Sequence, residues 1–131
     1  MKKNLNPLIV DTNVFIRFFV KDDLHHLQAK KFFIQTIQAN QLIYLDHVVL
    51  AEIIWVLTAF YKQPKSLVIN QLINFIANKN IVLENKNLVA LALSCYNTSN
   101  LSYVDCWLKT LAEHQNSKLI TLDKKLKKAS E

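Results

Sequence analysis

The chain has 131 residues, the size of one compact domain, and 51% of them are hydrophobic, as in a folded globular protein rather than a disordered basic tail. Lys and Arg number 16 against 10 Asp and Glu, and the resulting charge of +6 predicts an anionic or phosphate-rich partner. Glycine is absent, which excludes the glycine-rich loops that bind phosphate in many nucleotide-binding proteins. We predict a single domain over residues 1–131.

Short apolar runs alternate with amphipathic segments along the chain, which predicts an α/β fold with a parallel sheet. We predict strands at residues 8–10, 42–45, 81–83 and 119–122. We predict helices at residues 24–37, 48–60, 64–76, 87–96 and 103–114, and either a helix or an irregular connection at 14–20. Ser102 has the position and chemistry of the N-cap of the last of these helices.

Cysteine usage and the lack of long apolar segments predict a cytoplasmic protein. Cys95 and Cys106 show no pairing pattern and no metal-binding cluster, as expected in a reducing compartment. The basic residues 1–3 are followed by an apolar stretch too short for a signal peptide. Acidic residues interrupt the apolar run at 42–60, so we expect no membrane span.

Two carboxylates stand out because their neighbours are apolar. Asp11 ends the first predicted strand, which we expect to be central and buried, at the edge where α/β sheets bind ligands. Glu52 has Val48 and Trp55 one turn away on a predicted helix, which places it on an apolar face. Burying a lone ionised carboxylate there would cost several kcal/mol, so a cation or good donors should meet it. A buried salt bridge to Arg17, the only arginine, or to a lysine is the alternative role for Glu52.

Two further acids follow in the C-terminal part of the chain. Asp105 lies in the first turn of a predicted helix, and Asp123 follows the last predicted strand. We expect Asp11, Asp105 and Asp123 to converge at one sheet edge, with Glu52 joining them if its helix packs there. Oxygen ligands without His or Cys suit Mg²⁺ or Mn²⁺ better than zinc. Taken singly, Asp11 could be a strand-end cap, Asp105 a helix-start acid and Asp123 a turn residue.

Four segments resemble, in order and spacing, the motifs of the PIN-domain ribonucleases, and among them the VapC-type toxins of bacterial type II toxin–antitoxin modules. These segments are residues 8–13 (LIVDTN), 51–57 (AEIIWVL), 103–107 (YVDCW) and 119–123 (LITLD). The chain departs from the family pattern at Ser102, a position that is often acidic, at Leu126, where an aromatic residue is common, and at Ser117, near a usual glycine. None of these departures touches the four acids.

The resemblance implies a PIN-like three-layer fold, with a parallel sheet of about four or five strands flanked by helices. It implies Mg²⁺- or Mn²⁺-dependent hydrolysis of RNA and a cognate antitoxin as partner. We also expect the chain to form a homodimer. The implied catalytic and metal-binding residues are Asp11, Glu52, Asp105 and Asp123. Thr12, Asn13 and Thr121 match the supporting polar positions. Basic residues that could contact the RNA are Arg17, Lys124, Lys125, Lys127 and Lys128, although the lysines could also form an ordinary solvated end.

Two alternative functions remain open. The chain could be a non-catalytic PIN-like domain that binds RNA or protein, but such a domain has no need of four site acids. It could instead be an aspartyl-phosphate phosphatase or phosphotransfer domain with Asp11 as nucleophile, which would leave Glu52 unexplained. We expect Trp55 and Trp107 to lie in the core rather than to stack on bases. The many apolar residues on the first helices are compatible with a dimer seam or an antitoxin groove.

Overall fold

The computed structural model describes residues 6–21 and 24–131, which form two compact units, one up to Glu84 and one from Asn85 to Glu131. The basic residues 1–3, considered above as part of a secretion signal, lie outside the described residues. Across the ranges 6–21 and 24–131, no helix is both long enough and apolar enough to cross a membrane.

The first unit is built on a short parallel sheet flanked by helices. Its elements are β1 (Leu8–Ile9), α1 (Thr12–Phe19), α2 (Leu24–Gln38), β2 (Ile43–Tyr44), α3 (His47–Trp55), a π-helical segment (Val56–Phe60), α4 (Lys65–Ile76) and β3 (Ile81–Val82). The strand order is β1-β2-β3, with Leu8 opposite Ile43 and Ile43 opposite Ile81. The carboxyl ends of the strands therefore share one edge, where Asp11 follows β1.

The predicted α/β class is confirmed, but the sheet is smaller than expected. Within the described residues it has three strands rather than four or five, and β1 is an edge strand rather than a central one. No described strand pairs with the outer side of β1, and Ile9 on this strand is therefore 80% exposed instead of buried. The prediction of a strand at 119–122 is wrong: this segment pairs with no other part of the described chain and leaves Ile120 and Leu122 exposed.

An aromatic cluster holds α1, α2 and α4 together. The ring of Phe18 packs 5.0 Å from Phe33 and 5.6 Å from Phe75, and Phe15 packs 5.5 Å from Phe33. Phe15 and Phe33 are fully buried, as the apolar periodicity of these segments predicts. This packing fixes α1, the helix that begins directly after Asp11, in its place beside the sheet.

The helix that carries Glu52 is apolar on more than one side. Leu50, Ile53 and Leu57 are buried, whereas Val48 and Trp55 are exposed. Trp55 is 66% exposed, so the prediction that it belongs to the core is wrong, and Trp107 is half-buried. The predicted helix 48–60 is otherwise confirmed, with its last turn wound as a π-helix.

The second unit contains α5 (Lys86–Thr98), α6 (Tyr103–Gln115) and α7 (Lys124–Ala129) in the described chain. Its small core joins Leu101, Cys106 and Leu126, with Cys95 and Leu119 packed against them. Both cysteines are free thiols, and burial raises the pKa of Cys106 to about 11. The helix over 124–129 was not predicted from the sequence, where these residues were interpreted as a basic tail.

Candidate active site

Asp11 lies at the carboxyl end of β1 and in the N-cap position of α1. Its backbone is extended, with φ −65° and ψ 147°, and its carbonyl oxygen accepts the first helical hydrogen bond from Val14 N at 3.0 Å. Its side chain is exposed and makes no capping hydrogen bond. An aspartate at this position ordinarily uses its carboxylate to cap the helix. The carboxylate of Asp11 is therefore left available to an outside ligand.

Asp46 occupies the corresponding position after β2 and behaves differently. Its Oδ1 accepts a hydrogen bond from Val48 N at 2.8 Å and so caps α3. Both residues are aspartates that follow a strand of the same parallel sheet and precede a helix. The two positions differ in one respect: the carboxylate of Asp46 caps a helix, and that of Asp11 does not.

Glu52 lies on the exposed side of α3, where Thr12 Oγ1 donates a hydrogen bond to its Oε2 at 3.2 Å. The structure thus places Glu52 beside the residue that follows Asp11. The prediction that Glu52 is buried is wrong, because the apolar face around it, with Val48 and Trp55, is exposed. The alternative of a salt bridge with Arg17 is also not found among the described residues.

Sequence reasoning did not single out two further acids at this sheet edge. Asp46 follows β2 and Glu84 follows β3. Burial, then Glu84 and then Asp46, raise the pKa of the Tyr44 hydroxyl, so these groups share one electrostatic environment. The signal was present in the sequence, since an acid directly follows the predicted strands at 8–10, 42–45 and 81–83.

The two remaining predicted site acids lie in the second unit, each at the start of a helix. Ser102 Oγ accepts a hydrogen bond from Asp105 N at 3.1 Å, which confirms Ser102 as the N-cap of α6. Asp123 Oδ1 accepts from Leu126 N at 2.9 Å and caps α7. The expectation that Asp123 projects from a strand end is therefore wrong. Thr121 Oγ1 accepts from Asp123 N at 3.0 Å and holds the turn before the helix.

The chain was also compared with known protein families and with curated proteins. The family model of the PIN domain matches residues 8–131. The chain belongs to the PIN domain family. The match runs through both units and includes the positions of all four predicted site acids. PIN domains are generally nucleases, and they commonly use divalent metals. A search of curated proteins finds none that matches the chain.

The oxygen donors of this PIN domain fit a hard divalent cation. Among the described residues, no group of three or more His, Cys, Asp and Glu side chains is placed to hold a metal ion. Mg²⁺ does not require such a cage, because proteins commonly bind it through one or two carboxylates, water and substrate phosphates. Asp11 and Glu52 are exposed carboxylates of the first unit and are oxygen ligands of this chemical type.

The basic residues expected near RNA belong to two different elements of the PIN domain. Arg17 lies on α1, where it lines a cavity together with Asp11 and Asn13. The four lysines lie on α7 and are all exposed: Lys124, Lys125, Lys127 and Lys128. Because Asp123 caps this helix, the lysines form an ordered basic surface directly after a site acid.

Proposed function

We propose that residues 1–131 form one PIN domain that acts as a Mg²⁺- or Mn²⁺-dependent endoribonuclease. One observation carries the proposal: Asp11 occupies a helix N-cap, yet its exposed carboxylate does not cap the helix. Placement of Glu52 against Thr12 supports it, because the Glu52 carboxylate is then hydrogen-bonded to the residue that follows Asp11. Asp11, Glu52, Asp105 and Asp123 are the proposed catalytic and metal-binding residues.

The reaction is the hydrolysis of an RNA phosphodiester bond. Water attacks phosphorus, the bond to the 3′ oxygen breaks, and the products are a 5′-phosphate and a 3′-hydroxyl. A bound divalent ion supplies charge stabilisation and a more acidic water. In this chain, Thr12 orients the Glu52 carboxylate, and Asn13 and Thr121 are the supporting polar residues. The lysines of α7 neutralise flanking phosphates, which makes RNA binding weaken as salt increases.

The biological role that we propose is that of a cytoplasmic toxin paired with a cognate antitoxin, with the toxin itself a homodimer. The four motifs support this role through their resemblance to VapC-type toxins. Exposed apolar side chains on α2, at Leu24, Leu27 and Ile34, offer a surface for a protein partner. Relief of growth inhibition by co-expression of a neighbouring small reading frame would test the role, and the mass of the purified protein in solution would test the dimer.

The decisive experiment uses Asp11 and Asp46 as a matched pair. Purified protein is incubated with RNA in Mn²⁺ or Mg²⁺, with EDTA as a control. Asp11→Asn should lower the cleavage rate by at least about 100-fold, since it removes a charge that stabilises the transition state. Asp46→Asn should cleave within about twofold of the wild type, because asparagine caps a helix as well as aspartate does.

Two outcomes would contradict the proposal. Cleavage that survives EDTA or Asp11→Asn would exclude a metal site at Asp11. A stable acyl-phosphate on Asp11 would indicate a phosphotransfer domain instead.

A further inference from the structure

A cavity of about 440 Å³ opens between α1 and α2, next to Asp11. It lies entirely within the first unit and is formed by the end of β1, one face of α1 and one face of α2. Its volume is within the range of pockets that bind small organic ligands, roughly 300–1,000 Å³. Because Asp11 stands at its edge, a ligand in the cavity would lie beside the proposed reacting phosphate.

The lining of the cavity is largely apolar, with a few polar side chains among the exposed residues. Val10 and Ala29 are buried, and the ring of Phe32 is half-buried beside them. Asn13 and Gln28 are exposed and supply amide groups at the opening. Flat apolar surface combined with a few polar groups suits a nucleobase, which has apolar faces and a polar edge.

Arg17 is the distinctive residue of the cavity. Of the 16 Lys and Arg residues, the other 15 are lysines, so Arg17 carries the only guanidinium group of the chain. Arg17 is half-buried and makes no side-chain hydrogen bond or ion pair with any described residue. His26 Nδ1 donates to its carbonyl oxygen at 3.1 Å, which ties this turn of α1 to α2. The backbone at Arg17 is thus linked to α2, while the guanidinium group remains available to a ligand.

We infer that this cavity is a base-binding subsite that selects guanine in the nucleotide next to the scissile phosphate. The inference rests on the proposed function only in that Asp11 marks the position of the phosphate. Arginine presents a planar fork of donors that pairs with O6 and N7 of guanine, whereas lysine offers a point charge. Adenine presents a donor at the position of O6, which the donor-only fork of Arg17 cannot satisfy.

Binding is measured first, without any cleavage. The isotopically labelled full chain is titrated in EDTA with GMP, AMP, UMP and CMP, and with inorganic phosphate as control. GMP should bind most tightly and should shift the amide signals of Val10, Arg17 and Gln28. Arg17→Lys should reduce the preference for GMP over AMP by about 5- to 150-fold. Equal binding of AMP and GMP by the wild type, or binding of phosphate alone, would overturn the inference.

Cleavage is measured second, on an RNA library of random sequence in Mn²⁺. The wild type should show guanine enriched at one fixed position relative to the cut, and Arg17→Lys should lose that enrichment. Lys31→Gln is the matched control: it removes one positive charge from an exposed site on α2 that does not line the cavity, and it should retain the wild-type pattern. An unchanged pattern in Arg17→Lys would overturn the inference.

The two measurements separate the subsite from the proposed nuclease activity. GMP binding at the cavity without any cleavage of RNA would uphold the subsite and contradict the nuclease. Cleavage that is indifferent to Arg17 would uphold the nuclease and contradict the subsite. If Arg17→Lys abolishes binding of a protein partner and leaves nucleotide binding unchanged, the cavity is a protein-docking site and the inference is wrong.

Discussion

The four proposed site acids fall into two pairs that the fold treats differently. On the first unit, Asp11 and Glu52 are exposed, and neither carboxylate caps a helix. On the second unit, Asp105 lies in the first turn of α6, and Asp123 uses its carboxylate to cap α7. The first pair is therefore available to a ligand from the outset. The second pair lies at the starts of helices, where a polar residue stabilises the fold whether or not it binds a ligand.

This difference shows how function and stability can be separated by substitution. A carboxylate that the fold does not use can be neutralised with little change in the free energy of unfolding. A capping carboxylate contributes about 1 kcal/mol, but asparagine can replace it as a cap without replacing its charge. The choice between Asn, Gln and Ala therefore determines which property each variant tests.

After Asp11, the largest effect is expected at Glu52 in the first unit. Glu52→Gln should lower the RNA cleavage rate by about 100-fold, because it removes a proposed site charge. It should change the free energy of unfolding by less than about 0.5 kcal/mol, since the side chain is exposed. Cleavage assays and urea denaturation measure the two quantities. Glu84→Gln, an exposed acid at the end of β3, is the matched control and should alter neither.

A gain of several kcal/mol in stability with Glu52→Gln would contradict the structure. That result is expected only if the charge is buried and uncompensated, as the apolar neighbours of Glu52 in the sequence suggest.

A smaller combined effect is expected at Asp123 in the second unit. Asp123→Ala should lose part of the cleavage activity, because a proposed site charge is removed. It should also lose about 1 kcal/mol of stability, because the hydrogen bond from Leu126 N is lost. Asp123→Asn should lose a similar part of the activity but keep the stability, since the amide oxygen can cap α7. The helix signal in circular dichroism and the cleavage rate distinguish the two. Full activity in Asp123→Asn would show that Asp123 serves the fold alone.

A further, smaller effect is expected at Thr12, which joins the two acids of the first unit. Thr12→Val removes the hydrogen bond to Glu52 Oε2 and should lower the cleavage rate by about tenfold, in line with one hydrogen bond to a charged group. Thr12→Ser keeps the hydroxyl and should restore most of the rate. If serine and valine behave alike, the hydroxyl of Thr12 does not position Glu52.

Much of this fold could be predicted from local patterns. The periodicity of apolar residues predicted α2, α4, α5 and α6, and Ser102 marked the start of α6. These features depend on side chains one turn apart, which the sequence displays directly. The position of Asp11 after a strand was also predictable, because β1 is a short apolar run that an acid terminates.

The remaining features depend on which helices and strands pack against each other. A local sequence pattern cannot show this. The segment 119–122 has the composition of a strand, but no strand among the described residues pairs with it. Asp123, which follows it, caps a helix. The α3 helix is apolar on several sides, so its pattern could not show that Leu50 is buried and Val48 exposed. The environment of Glu52 was misjudged for the same reason.

The smallest effect is expected from pH, at the start of the helix that carries Glu52. Burial lowers the pKa of His47 below its ordinary value of 6.5, although neighbouring Asp46 partly opposes the shift. The unfolded chain therefore binds a proton at a pH where folded His47 is still neutral, so the free energy of unfolding should fall as the pH is lowered below 6.5. His47→Gln should remove this part of the pH dependence. Urea denaturation at pH 7.5 and at pH 5.5 measures it for both proteins. Equal losses of stability in the two would show that His47 is solvated in the native state and does not contribute to the pH dependence of folding.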